Sequence, residues 1–270
     1  MEARFEALGC ADRYRRFEAI DGRALSEMRS PLSPGERGCF MSHYHCIVEG
    51  AEGERHLHIV EDDVVFAPQT PFLLGGATSA PVHSWDILFT DIFIPTSLNA
   101  VYNFMQAYRD SGMVDQQRLP IDHRMPSAVA FLELKGIGFA GATSYVVNRN
   151  SRHKLRRLLD AELDRGPDEP IDMVYRKLSN AGEIKVACTI PFLTSITSAS
   201  LRQTTIGERG QDQASALASY LLRAYFYLGK NNDDLATIGG DLTAQLDDSG
   251  TVDPLLAAFR FFLSDRFRSF

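Results

Sequence analysis

An α/β layered fold with a C-terminal helical extension is predicted for this chain by three observations. Short β-type runs alternate with helix-period segments over roughly the first 200 residues, the pattern of strands and helices packed in layers. Several of the apolar runs end abruptly in carboxylates or turn residues, Val60-Glu61 and Phe89-Thr90-Asp91 being the clearest. After about Gly210 the strand-like runs stop and only helical stripes continue. The expected division is therefore an α/β domain over residues 1–205 and a helical extension over 206–270.

The elements follow in order. The chain opens in helix-like sequence (Phe5, Leu8), then Phe17-Glu18-Ala19-Ile20-Asp21-Gly22 suggests a short strand and turn. Ser33-Pro34-Gly35-Glu36 carries a helix start: Ser33 caps, Pro34 suits the first helical position, and Glu36 completes a capping box. That helix is expected to run to about Glu52, with Gly53 ending it. Leu57–Phe66 is a β-type run holding Glu61-Asp62-Asp63 in its second half, and Ala67–Ser84, rich in proline and glycine, reads as loop. Trp85–Phe89 is a second strand. Val101, Phe104, Met105 and Tyr108 repeat at helical spacing and stop at Gly112, after which the pattern weakens from Met113 to Lys135.

Gly141-Ala142-Thr143 leads into the strand Ser144–Val147. Two helices follow, one with Leu155, Leu158, Leu159 and Leu163 ended by Gly166, the other with Ile171, Val174, Tyr175 and Leu178 ended by Gly182. Ile184–Ile190 is a further strand. In the extension, Leu217, Tyr220, Leu221, Ala224, Tyr225 and Leu228 form one stripe, and Asp253-Pro254 starts a last helix bearing Leu255, Leu256, Phe259, Phe262 and Leu263.

Composition bounds the function. A chain of 270 residues with 44% hydrophobic and 23% charged residues has the balance of an ordinary globular protein with one sizeable core. A net charge of −7 argues against nucleic-acid binding, which needs a basic surface. It leaves an anionic nucleotide open as substrate, because a bound divalent cation supplies positive charge locally. No apolar stretch approaches the ~20 residues that span a bilayer, and the N-terminus lacks the basic-then-apolar order of a signal peptide. Four cysteines are too few for a disulfide framework in this length, so a reducing cytoplasm is the expected compartment.

Glu61-Asp62-Asp63 is the strongest chemical signal. Three adjacent carboxylates inside an apolar run repel one another, and burial costs several kcal/mol each without partners. In a strand, Glu61 and Asp63 would share one face and Asp62 the other. A hard cation such as Mg²⁺ or Mn²⁺ takes one or two such carboxylates and completes its shell with substrate phosphates. Ligands of α/β sheets bind beyond the carboxyl ends of strands, where this triplet falls. Alone, it would equally serve a metal-dependent phosphate-ester hydrolase, and its plain alternative is a solvated strand end.

The flanking sequence narrows the choice. Phe17-Glu18-Ala19-Ile20-Asp21-Gly22, Gly35-Glu36-Arg37-Gly38-Cys39-Phe40-Met41-Ser42-His43 and His58-Ile59-Val60-Glu61-Asp62-Asp63-Val64 resemble consecutive blocks of glycosyltransferase family 25. Bacterial lipooligosaccharide galactosyltransferases and collagen galactosyltransferases belong to that family. Trp85-Asp86-Ile87-Leu88, Gly141–Val147 and Pro170-Ile171-Asp172 resemble later blocks in the same order, so the resemblance covers roughly residues 1 to 200. It implies a GT-A-like nucleotide-sugar-binding domain, a UDP-galactose donor, and Mn²⁺ or Mg²⁺ held by Glu61 and Asp63 with Asp62 beside them. It also implies an inverting hexosyl transfer to a saccharide or lipid-linked saccharide of a surface glycan, with a general base on the acceptor hydroxyl. Against the family pattern, the chain opens inside what corresponds to the first helix. The first strand and its arginine-containing turn are expected upstream of Met1 or are missing from the donor pocket. The latter case would suit a degenerate, non-catalytic binding protein.

The remaining candidates are weighed singly. The resemblance makes Ser42 and His43 a substrate-binding pair, against a core histidine satisfied on its helix. Cys39, His43 and Cys46 share a helix face, but a zinc set needs a ligand from elsewhere and no Cys-x-x-Cys supplies one; they read as buried cysteines. Asp91 and Asp172 are the candidate catalytic carboxylates, against a loop aspartate and a helix-dipole anion respectively. Asp168 and Glu169 read as cap residues. The stripe Phe259, Phe262, Phe267 and Phe270, with Arg260, Arg266 and Arg268, packs on its own domain or a partner subunit, with peripheral contact to an inner-membrane surface as the alternative.

Overall fold

The structure is a computed structural model that describes residues 1–50, 53–77, 84–95, 97–110, 129–197 and 213–231, with 235 and 237. Its helices are α1 Glu2–Ala7, α2 Pro34–Gly50, α3 Thr70–Ala77, α4 Leu98–Asp110, α5 Arg152–Arg165, α6 Ile171–Asn180 and α7 Gln213–Phe226. Its strands are β1 Leu57–Val60, β2 Val64–Phe66, β3 Ile87–Phe89, β4 Ala130–Glu133, β5 Ser144–Val147, β6 Val186–Ile190 and β7 Thr194–Ile196. This is the mixed α/β layering that the alternating pattern predicts.

Helix α2 starts through the expected capping box. The Glu36 amide donates to Ser33 Oγ at 3.3 Å, and the Ser33 amide donates to Glu36 Oε2 at 2.9 Å. The stretch before it differs from expectation: residues 17–21 join no strand ladder, and Gly22–Leu25 is a turn of 3-10 helix. This stretch lies instead against α2, where the Ile20 amide donates to Ser42 Oγ at 2.9 Å. Backbone touches backbone here, which is possible only because Gly22 and Gly38 carry no side chain. A Cβ on Gly38 would stand 2.5 Å from the Ile20 carbonyl oxygen, and one on Gly22 only 1.7 Å from that of Pro34.

Five strands form the main sheet in the order β1-β5-β3-β6-β4, with β3 and β6 parallel and the other pairs antiparallel. Strands β1, β3 and β6 therefore point the same way and deliver their carboxyl ends to one edge. Alternation sorts the strand residues onto two faces. Ile87, Phe89, Tyr145, Val147, Val186, Cys188 and Ile190 enter the large core under the helices. Leu88, Val146 and Ala187 face a smaller cluster with Leu74, Trp85 and Phe131. The run predicted as one strand over 57–66 is two: β1 belongs to the main sheet, whereas β2 pairs antiparallel with β7 in a separate two-stranded sheet. The stretch read as loop after Ala67 contains α3, whose Pro71 falls in the first turn, where a proline is tolerated. Thr70 is fully buried and its hydroxyl bonds the Leu193 carbonyl.

Helix α7, the described part of the extension, buries Ala218, Tyr220, Leu221, Leu222 and Phe226 in the same large core. The Phe192 amide donates to the Phe226 carbonyl at 2.8 Å, and the Leu228 amide returns to the Phe192 carbonyl at 2.9 Å. Of the weak region 113–135, residues 113–128 lie outside the described residues and 130–133 form β4; the predicted last helix also lies outside them. Among the described residues no helix is long and apolar enough to cross a membrane.

The close contact of α2 with residues 20–22 gives a direct test. Gly38→Ala is expected to lower the unfolding free energy by about 2 kcal/mol, because backbone rather than a movable side chain blocks the added methyl. A urea midpoint equal to that of the parent protein would contradict this packing.

Candidate functional site

The candidate site forms at the edge where β1, β3 and β6 end. Glu61-Asp62-Asp63 is a turn rather than part of a strand, and it links the main sheet to the two-stranded one. The expected strand alternation across the triplet therefore does not hold. Its backbone is pinned at both ends: the Glu61 amide donates to the Thr143 carbonyl at 2.8 Å, and the Val64 amide donates to Glu61 O at 3.4 Å. Asp62 is exposed, Asp63 half-buried, and the Glu61 side chain 30% exposed.

Glu61 turns toward α2. Its Oε1 lies 3.3 Å from His43 Nε2 and 3.9 Å from Cys39 Sγ. The other ring nitrogen of His43, Nδ1, is 2.9 Å from the Tyr145 hydroxyl, which lies 3.2 Å from that of Tyr175. His43 stacks on Tyr145 with 12° between the ring planes. Burial alone would lower the His43 pKa, but the Cys39 thiol and the Glu61 carboxylate beside it raise it, to about 10. Burial would raise the Glu61 carboxyl, yet the hydrogen bond and charge of His43, with the charge of Arg223, hold it below its ordinary value. His43 is thus both a satisfied core histidine and a partner of the acidic turn. Ser42 is placed otherwise: its hydroxyl donates to the Gly38 carbonyl at 2.7 Å and accepts from Ile20, so it ties backbone together.

Asp91 follows β3 at the same edge but is completely enclosed. The Arg223 Nε donates to Asp91 Oδ2 at 2.8 Å, and Arg223 Nη2 bonds both that oxygen and the Thr143 hydroxyl. The Arg223 and Asp91 side chains are 2% and 0% exposed. Asp172, in the first turn of α6, accepts the Gly141 amide at 2.7 Å. Burial raises its pKa against the lowering effect of the Gly141 and Met173 amides, and the nearby negative charge of Glu61 raises it further.

The structure thus gathers Glu61, His43, Asp91 and Asp172 at one edge, with Asp62 and Asp63 on the turn above. Reading the sequence missed Arg223, Tyr145, Tyr175 and the orientation of Cys39. An arginine inside the apolar stripe of α7 is the signal by which Arg223 could have been found. Asp86, from a block that resembles the family, lies at the opposite end of β3 and is structural: it holds Lys154 at 2.5 Å and the Lys185 amide at 2.7 Å. Pro170, and neither Asp168 nor Glu169, stands at the N-cap of α6. Cys46 packs against the core, as expected of it.

A family model described as glycosyltransferase family 25 (LPS biosynthesis protein) matches residues 4–174, a span that holds every candidate site residue read from the sequence. A search of curated proteins finds no match.

Two measurements probe this edge. Arg223→Met is expected to cost about 3–5 kcal/mol by stranding Asp91, with most of it recovered in Arg223→Met combined with Asp91→Leu; a double variant as unstable as the single one would contradict the pairing. The second concerns His58, which sits just before the turn with Tyr14 Oη at 2.7 Å from Nδ1 and Ser144 Oγ at 3.0 Å from Nε2. Burial lowers its pKa to about 3. The unfolded chain then binds the extra proton below about pH 6.5, so stability is intact above that and falls as pH drops toward 3. Between pH 7 and 5 the loss is up to about 2 kcal/mol, and His58→Gln should flatten that slope in urea unfolding.

Proposed function

The chain belongs to glycosyltransferase family 25, and from that premise we propose that it moves a hexosyl group from a UDP-sugar to a saccharide hydroxyl in surface-glycan assembly. Galactose is the proposed sugar, inversion the proposed stereochemistry and a GT-A-like domain the proposed frame. The observation that carries the reading is the acidic turn standing at the shared carboxyl edge of β1, β3 and β6. In an open α/β sheet that edge is where nucleotide ligands bind.

The turn offers only oxygen ligands, with Asp62 exposed and the Glu61 side chain 30% exposed. That set suits Mg²⁺ or Mn²⁺, which bind one or two carboxylates and keep positions for phosphate oxygens. In this reading Glu61 and Asp63 hold the cation, and Asp62 contacts the donor. The cation supplies charge compensation for the departing diphosphate. Asp172 is the proposed general base: its raised pKa and its place beside Glu61 support proton removal from the acceptor hydroxyl. Asp91, considered for the same duty from sequence, instead positions Arg223, since a fully enclosed, ion-paired carboxylate cannot reach an acceptor. Ser42 and His43 support the site from α2 by holding backbone and Glu61, in place of the direct substrate contact expected of them.

The test is UDP-galactose binding with and without Mn²⁺, in the parent protein and in Asp63→Asn. Binding is expected to tighten with Mn²⁺ and to weaken at least about tenfold in the variant. Metal-independent binding that the substitution leaves unchanged would remove the assigned metal role. Asp172→Asn is expected to lower kcat by about 10²- to 10⁴-fold with donor affinity retained.

A further inference from the structure

Cys39 and His43 lie one helical turn apart on α2, on the face turned to Glu61. A ligand atom from each of Cys39, His43 and Glu61 falls within 4.8 Å of the other two, and among the described residues this is the one such group of three found. The separations to Glu61 Oε1 are 3.3 Å from His43 Nε2 and 3.9 Å from Cys39 Sγ. Ligands about 2.0–2.3 Å from a tetrahedral zinc ion stand roughly 3.3–3.6 Å from one another. The two separations to Glu61 thus lie within a few tenths of an ångström of those that such an ion requires, and the third is bounded at 4.8 Å. We propose that Cys39 Sγ, His43 Nε2 and a Glu61 carboxylate oxygen form a site for a thiolate-binding divalent cation of the zinc class.

Two further observations fit. The Tyr145 hydroxyl at His43 Nδ1, itself bonded to Tyr175, is the outer partner that a metal-binding imidazole requires. In the metal-binding form His43 would donate Nδ1–H to Tyr145 and, on losing its second proton, turn the Nε2 lone pair to the ion beside Glu61 and Cys39. The cluster is also closed on one side and open on the other: His43 is buried, whereas the Glu61 side chain is 30% exposed. Three protein ligands with one open position is the arrangement of zinc sites that admit water or a substrate oxygen. Binding would release two protons to solvent, one from the Cys39 thiol and one from the His43 imidazolium, and the freed electron pairs on sulfur and Nε2 would form the bonds to the metal.

This site is distinct from the oxygen-only cation site proposed for the donor. The two share Glu61, but one uses Cys39 and His43 and the other Asp63. A sulfur ligand selects zinc-class ions over Mg²⁺ and Mn²⁺.

The experiment is cobalt titration of the full chain after treatment with a chelator. One equivalent of Co²⁺ is expected to produce a near-ultraviolet thiolate-to-cobalt charge-transfer band, with visible bands of tetrahedral intensity, and Zn²⁺ should displace it. Cys39→Ser should abolish the thiolate band. Cys46→Ser and Asp63→Asn should retain it, and Tyr145→Phe should weaken affinity about tenfold or more. Circular dichroism of each variant establishes that it is folded. No band in the parent protein, a band that survives in Cys39→Ser, or one lost in Cys46→Ser would each overturn the site. Mn²⁺-dependent UDP-galactose binding that persists without a cobalt band would sink this inference alone and leave the proposed function standing.

Discussion

The ion pair between Asp91 and Arg223 is the contact on which the edge of the sheet depends. Asp91 follows β3 directly into the interior, where an unpaired carboxylate would be untenable, and Arg223 neutralises it with two donor nitrogens aimed at one oxygen. Such a pair is weak evidence for net stability, since both charges have lost their water. Its value lies in geometry. The same guanidinium bonds the Thr143 hydroxyl, and the Thr143 carbonyl receives the amide of Glu61. A residue of the C-terminal helix thereby reaches the backbone of the acidic turn through two hydrogen bonds.

Charge balance explains the rest of the edge. Glu61, Asp91 and Asp172 converge there with Asp62 and Asp63 above them, and proximity of carboxylates raises the cost of ionising each. Arg223 answers Asp91, and its field with that of His43 keeps Glu61 ionised. Asp172 is bonded by backbone amides and by no cation among the described residues, and burial, with the charge of Glu61, raises its pKa. In the proposed function, this unequal compensation is what separates the roles. The well-compensated carboxylate is suited to a structural or ligand duty, and the poorly compensated one to moving a proton.

Placement of the turn relative to α2 is set by packing of a different kind. Gly22 and Gly38 let the 20–22 backbone lie directly on the helix, and Ser42 bonds both partners. This fixes the rotation of α2 about its axis, which turns Cys39 and His43 toward Glu61. Phe40 and Ile47 on the same helix are fully buried in the large core, so rotation of the helix would expose them. Three adjacent features of one sequence block, the capping box, the glycine and the serine, serve a single orientation.

Much of the architecture was legible from local pattern. Helix starts, the strands Ile87–Phe89 and Ser144–Val147, and the acidic cluster at a strand end follow from capping, period and charge, which act over a few residues. The family resemblance was legible too, because ordered blocks are a property of the chain. What stayed hidden depended on contacts between distant residues. No local rule separates β1 from β2, since the break arises from β2 pairing with β7, about 130 residues later. Nor can spacing along α2 reveal that Glu61, and not Cys46, completes a cluster with Cys39 and His43. Asp91 read as an available carboxylate because its partner, Arg223, lies 132 positions away. Residue types declare which chemistry is on hand; only the folded chain decides which groups are buried, paired or open, because burial and pairing are set by neighbours that sequence order does not bring together.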